Sequence, residues 1–162
     1  MLAGMTADPN LLTDALPEWR PGVRLLAVGA AAGAERLGAT AYELGPGAQA
    51  APYHLHHGQE ELLVVLSGTP ELRTPAGTRR LVAGAVVAFP AGPDGAHRLR
   101  NDADEPCRYL VVGTTALPEV VEYPDTGTVL ALTGPAAGHA WRAGSDVAYA
   151  EAVGEALAAE AR

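Results

Sequence analysis

Between Val23 and about Thr133 the chain is cut into strand-sized runs by closely spaced turn signals, and no helical period competes there. The pattern predicts strands over 23–28, 36–44, 53–57, 60–66, 71–74, 79–82, 85–89, 96–101 and 107–114. Gly45-Pro46-Gly47, Ser67-Gly68, Pro75-Ala76-Gly77, Ala83-Gly84 and the segment 101–106 punctuate them. Short strands at that spacing fit an all-β barrel or sandwich. The run Glu61 to Leu66 is apolar on both faces, so both faces need cover. A second sheet, the N-terminal segment or a partner subunit could supply it, which makes a homodimer a reasonable expectation.

The flanks differ in character. Residues 1–22 are polar and broken by Pro9, Pro17 and Pro21, with Leu16 and Trp19 as the points expected to dock on the body. Residues 134–162 form a C-terminal extension. From Ser145, a suitable N-cap, to Arg162 the Ala- and Glu-rich sequence predicts a short peripheral helix, weakened by Gly154. The organisation expected is therefore a barrel over 23–133 between two extensions.

At 162 residues and 48% hydrophobic content, the chain is long and apolar enough to bury one core. Its formal charge of −8 and its lack of any basic block argue against nucleic acid or an anionic membrane as partner. All eleven basic residues are arginine, so neither a Schiff-base lysine nor a P-loop lysine is available. Cys107 stands alone, which excludes an intramolecular disulfide and a Cys-rich zinc motif, and it reads as a buried small residue. No signal peptide is recognisable, and no apolar stretch approaches the ~20 residues that span a bilayer. A soluble cytoplasmic protein is expected.

Chemistry concentrates in His54-Leu55-His56, Glu61 and, some forty residues later, His97. Histidines at i and i+2 of an extended segment share a face, and the strand that follows can bring a carboxylate opposite them. Three imidazole nitrogens and one carboxylate oxygen suit a divalent transition metal. His139, within Gly138-His139-Ala140, has no such partners and reads as a surface loop residue.

These residues sit in a wider pattern. Gly47 is followed after six residues by His54-Leu55-His56, then four residues, Glu61, six residues and Gly68. Gly84 is followed after five residues by Pro90-Ala91-Gly92, then four residues, His97, three residues and Asn101. Together they resemble the two sequence motifs of the cupins, with one extra residue in the first and two extra before His97. The resemblance covers residues 47–101, and the strand pattern extends it to about 23–133. It implies an all-β double-stranded β-helix, the cupin jelly-roll barrel, with His54, His56, Glu61 and His97 binding a metal inside it. It also assigns Gly68, Gly84 and Gly92 to turns that want φ > 0 or a tight reversal. Glu60 competes with Glu61, but the six-residue gap to Gly68 selects Glu61 and strand alternation turns Glu60 away. His57 likewise points away, to solvent or behind the site.

The donor set accommodates Fe, Mn, Ni, Cu or Zn, and ligand type alone does not choose among them. An octahedral ion so held keeps two positions open for a substrate, or for substrate plus dioxygen. Glu61 could act as general base if it leaves the metal. No other cofactor is suggested. The expected function is a small metal-dependent enzyme, dioxygenase-like or isomerase- or cyclase-like, acting on a small organic molecule in the barrel. A metal-occupied small-molecule or sugar sensor without turnover is the alternative, because fold does not decide function. Tyr42, Tyr53, Leu63, Phe89, Leu99 and Tyr109 are candidates to line the barrel, and Arg36, Arg98 and Arg100 are near enough to meet an anionic group.

Overall fold

Alternation of inward and outward side chains organises the strands of the computed structural model. It describes residues 8–134 and 137–142 and, beyond them, only 144, 150, 151, 153 and 159. The predicted helix over Ser145–Arg162 thus lies largely outside the described residues. A six-stranded antiparallel sheet runs β1 (Glu18–Arg20), β2 (Val23–Leu26), β3 (Leu37–Leu44), β10 (Cys107–Thr114), β5 (Glu61–Ser67), β8 (Val86–Phe89). A four-stranded sheet runs β13 (Ala137–Arg142), β12 (Thr128–Gly134), β11 (Glu119–Tyr123), β4 (Leu55–His56), and a three-stranded one β7 (Gly77–Arg80), β6 (Glu71–Thr74), β9 (Arg98–Arg100). This is the expected all-β double-stranded β-helix.

The inner faces meet in a core that includes Leu44, Leu63, Val65, Leu72, Leu99 and Tyr109, each at most 5% exposed. On β3 the even residues Tyr42 and Leu44 face this core, while Ala41 faces a second cluster with Leu16, Leu26 and Val28. The N-terminal segment therefore covers the outer face of β2 and β3. Arg108 pins it there by donating to the carbonyls of Leu11 and Asp14 and to Glu43. Cover stops short of β5 and β8. Leu62 is 42% exposed and Val86 60%, so among the described residues this part of the face is open.

Several expectations need correction. Trp19 is 57% exposed, so Leu16 docks without it. The Gly/Ala-rich connection contains a single helical turn, α1 (Val28–Ala31), where strand had been expected up to Val28. The strand expected at 79–82 sits at Gly77–Arg80, because the hairpin turn is tighter than Pro75-Ala76-Gly77 implied. His139 lies in β13 opposite Ala131, exposed, rather than in a loop. β11, β12 and β13 form a sheet that no individual run had predicted.

Turn chemistry follows the motif glycines: Gly68, Gly84 and Gly92 have φ of 75°, 85° and 90°. Fully buried Asn101 closes the 101–106 turn, its Nδ2 donating to the carbonyls of Leu44 and Glu105 at 2.9 Å each. Among the described residues no helix is long and apolar enough to cross a membrane.

Candidate metal centre

His54 and His97 face each other across an isolated antiparallel bridge, exchanging backbone hydrogen bonds of 3.1 and 2.8 Å. His56 follows on β4, which β11 holds in place through the pair Val121–His56. Glu61 opens β5 on the inward face. Its Oε2 lies 3.6 Å from His56 Nε2 and 3.4 Å from His97 Nε2. One donor atom from each of His54, His56 and Glu61 falls within 4.8 Å of the others, and the His54 and His97 ring centroids are 4.6 Å apart. The fold thus brings all four expected residues together. Glu60 is exposed, and His57 points outward to Glu122 at 2.8 Å, as strand alternation required.

The rings are aimed from behind. Nδ1 of His54 donates to the Pro52 carbonyl and Nδ1 of His97 to the Gly95 carbonyl, both at 2.9 Å. A carbonyl only accepts, so Nδ1 carries the proton and the Nε2 lone pair is left for the site. Phe89 stacks on His97 at 3.8 Å and 7°, fixing the ring plane. The two residues inserted before His97 contribute directly. They fall within a three-residue 3₁₀ turn, Pro93–Gly95, whose last carbonyl is the partner of His97, while the Gly92 N–H donates to the His56 carbonyl at 2.7 Å.

Behind His56 stands a residue that sequence reasoning missed. Glu119 is 1% exposed, faces His56 Nδ1 at 3.5 Å and receives the Gly58 N–H on both oxygens at 3.2 Å. A Cβ at position 58 would come within 2.7 Å of Glu119 Oε2, so glycine there makes room for the carboxylate. The signal available was the alternation Glu119-x-Val121-x-Tyr123, which puts a carboxylate on the buried side of an apolar strand.

Electrostatics suit a cation. Burial, with the charge of Glu119 adding to it, pushes the Glu61 carboxyl up to about 7. Burial and then neighbouring His54 bring His97 down to about 3, and burial also lowers His54 and His56. The imidazoles are therefore neutral near pH 7, the form able to offer a lone pair to a metal. Glu61 Oε2 and His56 Nδ1 are buried without a hydrogen-bond partner. A divalent ion among the Nε2 atoms would satisfy Glu61 Oε2, and the two carboxylates would balance its charge. The donor set fits the metal that the motif implies.

A cavity of about 70 Å³ opens beside these residues, walled by Tyr42, Leu99, Tyr109 and Val111. Of the other lining candidates, Leu63 is plain core and Phe89 backs His97. Tyr53 lies under the Arg73 guanidinium at 3.9 Å. The three arginines do not converge on an anion site. Arg36 and Arg100 are exposed, and Arg98, part of the cavity wall, donates to Glu71 at 3.0 Å.

Comparison with known proteins agrees with this fold. The Cupin domain family matches residues 41–113, a span that holds His54, His56, Glu61 and His97. No curated protein sequence matches the chain significantly. A solved cupin-superfamily sugar phosphate isomerase from Silicibacter pomeroyi is 30% identical, with 80% of this chain and 83% of that one covered and a TM-score of 0.72. A protein from Acidithiobacillus ferrooxidans, provisionally assigned the same activity, is 28% identical over 78% and 80% of the two chains, also with a TM-score of 0.72. The polyketide cyclase RemF from Streptomyces resistomycificus shares the fold at 24% identity, covering 71% of this chain and 84% of its own, with a TM-score of 0.56. With the barrel, both motifs and a 30% identical relative spanning most of its length, the chain belongs to the cupin superfamily.

Proposed function

We propose that this cupin holds one divalent transition metal on His54, His56, Glu61 and His97, and that it is an enzyme catalysing isomerase- or cyclase-type proton transfer on a small organic molecule in the barrel. One observation carries the reading. The Nδ1 atoms of His54 and His97 are tied to carbonyls, and the Nε2 atoms of His56 and His97 converge on a buried, unpartnered Glu61 oxygen. When bound, the ion supplies a Lewis acid that polarises a substrate oxygen. The chain supplies the rest. Apolar walls limit water, and Tyr42, whose phenol is raised by burial and then by Glu61, stays protonated and can donate to a substrate oxygen. Glu61 is the carboxylate placed to take a proton if it leaves the metal. The isomerase names of the relatives at 28 and 30% identity favour proton transfer over oxygenation. A homodimer formed through the open face of β5 and β8 and a cytoplasmic location complete the proposal.

The protein is purified without chelators and its metal content measured. Hydrogen exchange into D₂O is then followed by NMR across aldoses, ketoses and diketones, with oxygen uptake recorded in parallel. Near-stoichiometric metal and exchange that His56→Ala abolishes are expected. Less than about a tenth of an equivalent of metal, with none taken up on titration, rejects the site. Oxygen uptake without exchange replaces the isomerase reading with a dioxygenase, and bound metal with neither activity supports a binding module.

A further inference from the structure

Beside Glu61 the inward face of the six-stranded sheet loses its side chains. Gly113 of β10 pairs with Glu61 on one side and with Gly38 of β3 on the other, so a carboxylate and two glycines lie in one row across three strands. Neither glycine has a positive φ, so the backbone does not require glycine at either position. Packing does not forbid a side chain at 38 either. A Cβ there would meet the Thr115 methyl at 3.2 Å and the Gly113 carbonyl at 3.6 Å, which a small rotation of Thr115 relieves. At 113 a Cβ would press on Glu61 Cγ at 3.2 Å, so glycine there seats Glu61. Glycine inside a strand weakens it and commonly marks a place where a ligand approaches the backbone. The space exists: a second cavity, of about 190 Å³, lies over these glycines and shares Tyr42, Glu61 and Val111 with the cavity at the metal centre. Its other polar lining is neutral, hydroxyls of Thr40, Thr114 and Thr115 and the amide of Gln59, and it includes neither arginine nor histidine.

Resting on the metal-centre reading above, we propose that the Gly38–Gly113 notch seats an uncharged, hydroxyl-bearing arm of the substrate, which is thus a neutral polyhydroxylated molecule such as an unphosphorylated sugar. Threonine and tyrosine hydroxyls match sugar hydroxyls as both donors and acceptors. A phosphate placed there would lose its hydration in a lining that offers it neither arginine nor histidine.

The test uses D-glucose, D-fructose and D-ribose and their phosphate esters as probes, titrated by calorimetry and saturation-transfer NMR into the protein with and without Zn²⁺. At least one neutral sugar should bind, and its phosphate ester at least about tenfold more weakly, because the notch lining returns no charged contact for the hydration a phosphate loses there. Gly38→Val should abolish sugar binding and Gly38→Ala weaken it. Zn²⁺ affinity should stay within about twofold, since residue 38 is none of the four ligands. The milder alanine variant keeps the test decisive should Gly38→Val fail to fold. Equal sugar binding by wild type and both variants, a phosphate ester that binds as well as its parent sugar, or no binding of any neutral sugar overturns the notch. Failure of wild type to take up Zn²⁺ overturns the metal reading instead, and the metal-free titrations then decide the notch alone.

Discussion

Gly95→Ala tests how the inserted turn aims His97. Gly95 is buried at the end of the 3₁₀ turn, folded back on the carbonyl of Pro90. A Cβ at this position would overlap the Pro90 oxygen and lie 2.9 Å from its carbonyl carbon and 3.1 Å from its nitrogen. Carbon atoms in contact rest at about 3.5–4.0 Å, so backbone must move by on the order of 1 Å. The neighbours are main chain and cannot rotate away. Overpacking of this kind costs about 1–3 kcal/mol. The displaced Gly95 carbonyl also releases His97 Nδ1, now held at 2.9 Å, for roughly 1 kcal/mol more. The sum, about 2–4 kcal/mol, corresponds to a fall in melting temperature of roughly 5–12 °C for a chain of this size. Loss of the group that orients a ligand imidazole should weaken metal binding about 10–100-fold. Thermal melts of the metal-free protein read the first effect, and calorimetric titration with Zn²⁺ or Ni²⁺ reads the second. Asp94→Ala, exposed in the same turn, is the control and should stay within about 0.5 kcal/mol of wild type. A Gly95→Ala protein that melts within about 2 °C of wild type refutes the steric argument. One that is destabilised but binds metal at full strength refutes the link to His97.

Glu119→Gln keeps the shape and the Gly58 hydrogen bond but removes the charge behind His56, so metal affinity should fall about 10–100-fold by calorimetry; unchanged affinity would show that the carboxylate only fills space. Because Glu61 titrates at about 7 while His97 is depressed to about 3, the ion must displace one proton from Glu61 below neutrality. Affinity should therefore rise roughly tenfold per pH unit up to about pH 7 and level off above it, with proton release measurable in buffers of different ionisation enthalpy. A flat profile between about pH 5 and 7 contradicts this assignment. In Glu119→Gln the break should move to lower pH, since the Glu119 charge helps raise Glu61. If the open face of β5 and β8 joins two copies, sedimentation should show a wild-type dimer that Leu62→Glu dissociates, and a monomeric wild type ends that reading.

Much of the barrel was legible because its causes are local. The six-residue gap to Gly68 selected Glu61, period-2 alternation turned Glu60 and His57 away, and glycine at 68, 84 and 92 marked turns whose positive φ only glycine adopts easily. Where local causes compete, boundaries slipped: β7 moved two residues earlier, and an Ala/Gly stretch read as a connection closed into one helical turn. The sheet of β11, β12 and β13 was not resolved into strands, although Pro124-Asp125-Thr126-Gly127 is a plain turn signal between β11 and β12.

By itself, then, the chain determined the all-β class, the cupin resemblance and four metal-ligand candidates, since all rest on residue type and short spacing. Tertiary structure alone decided what surrounds those candidates. Glu119 reaches His56 only because β11 pairs with β4 across more than sixty residues of sequence, a register that no local pattern encodes. Gly38 and Gly113 become neighbours of Glu61 only when β3, β10 and β5 align. The insertion before His97 looked like a disturbance of the motif, yet its folded turn supplies the carbonyl that aims the ring. Spacing can nominate ligands. Their orientation, charge balance and open space depend on long-range strand register, which forms only when the whole barrel does.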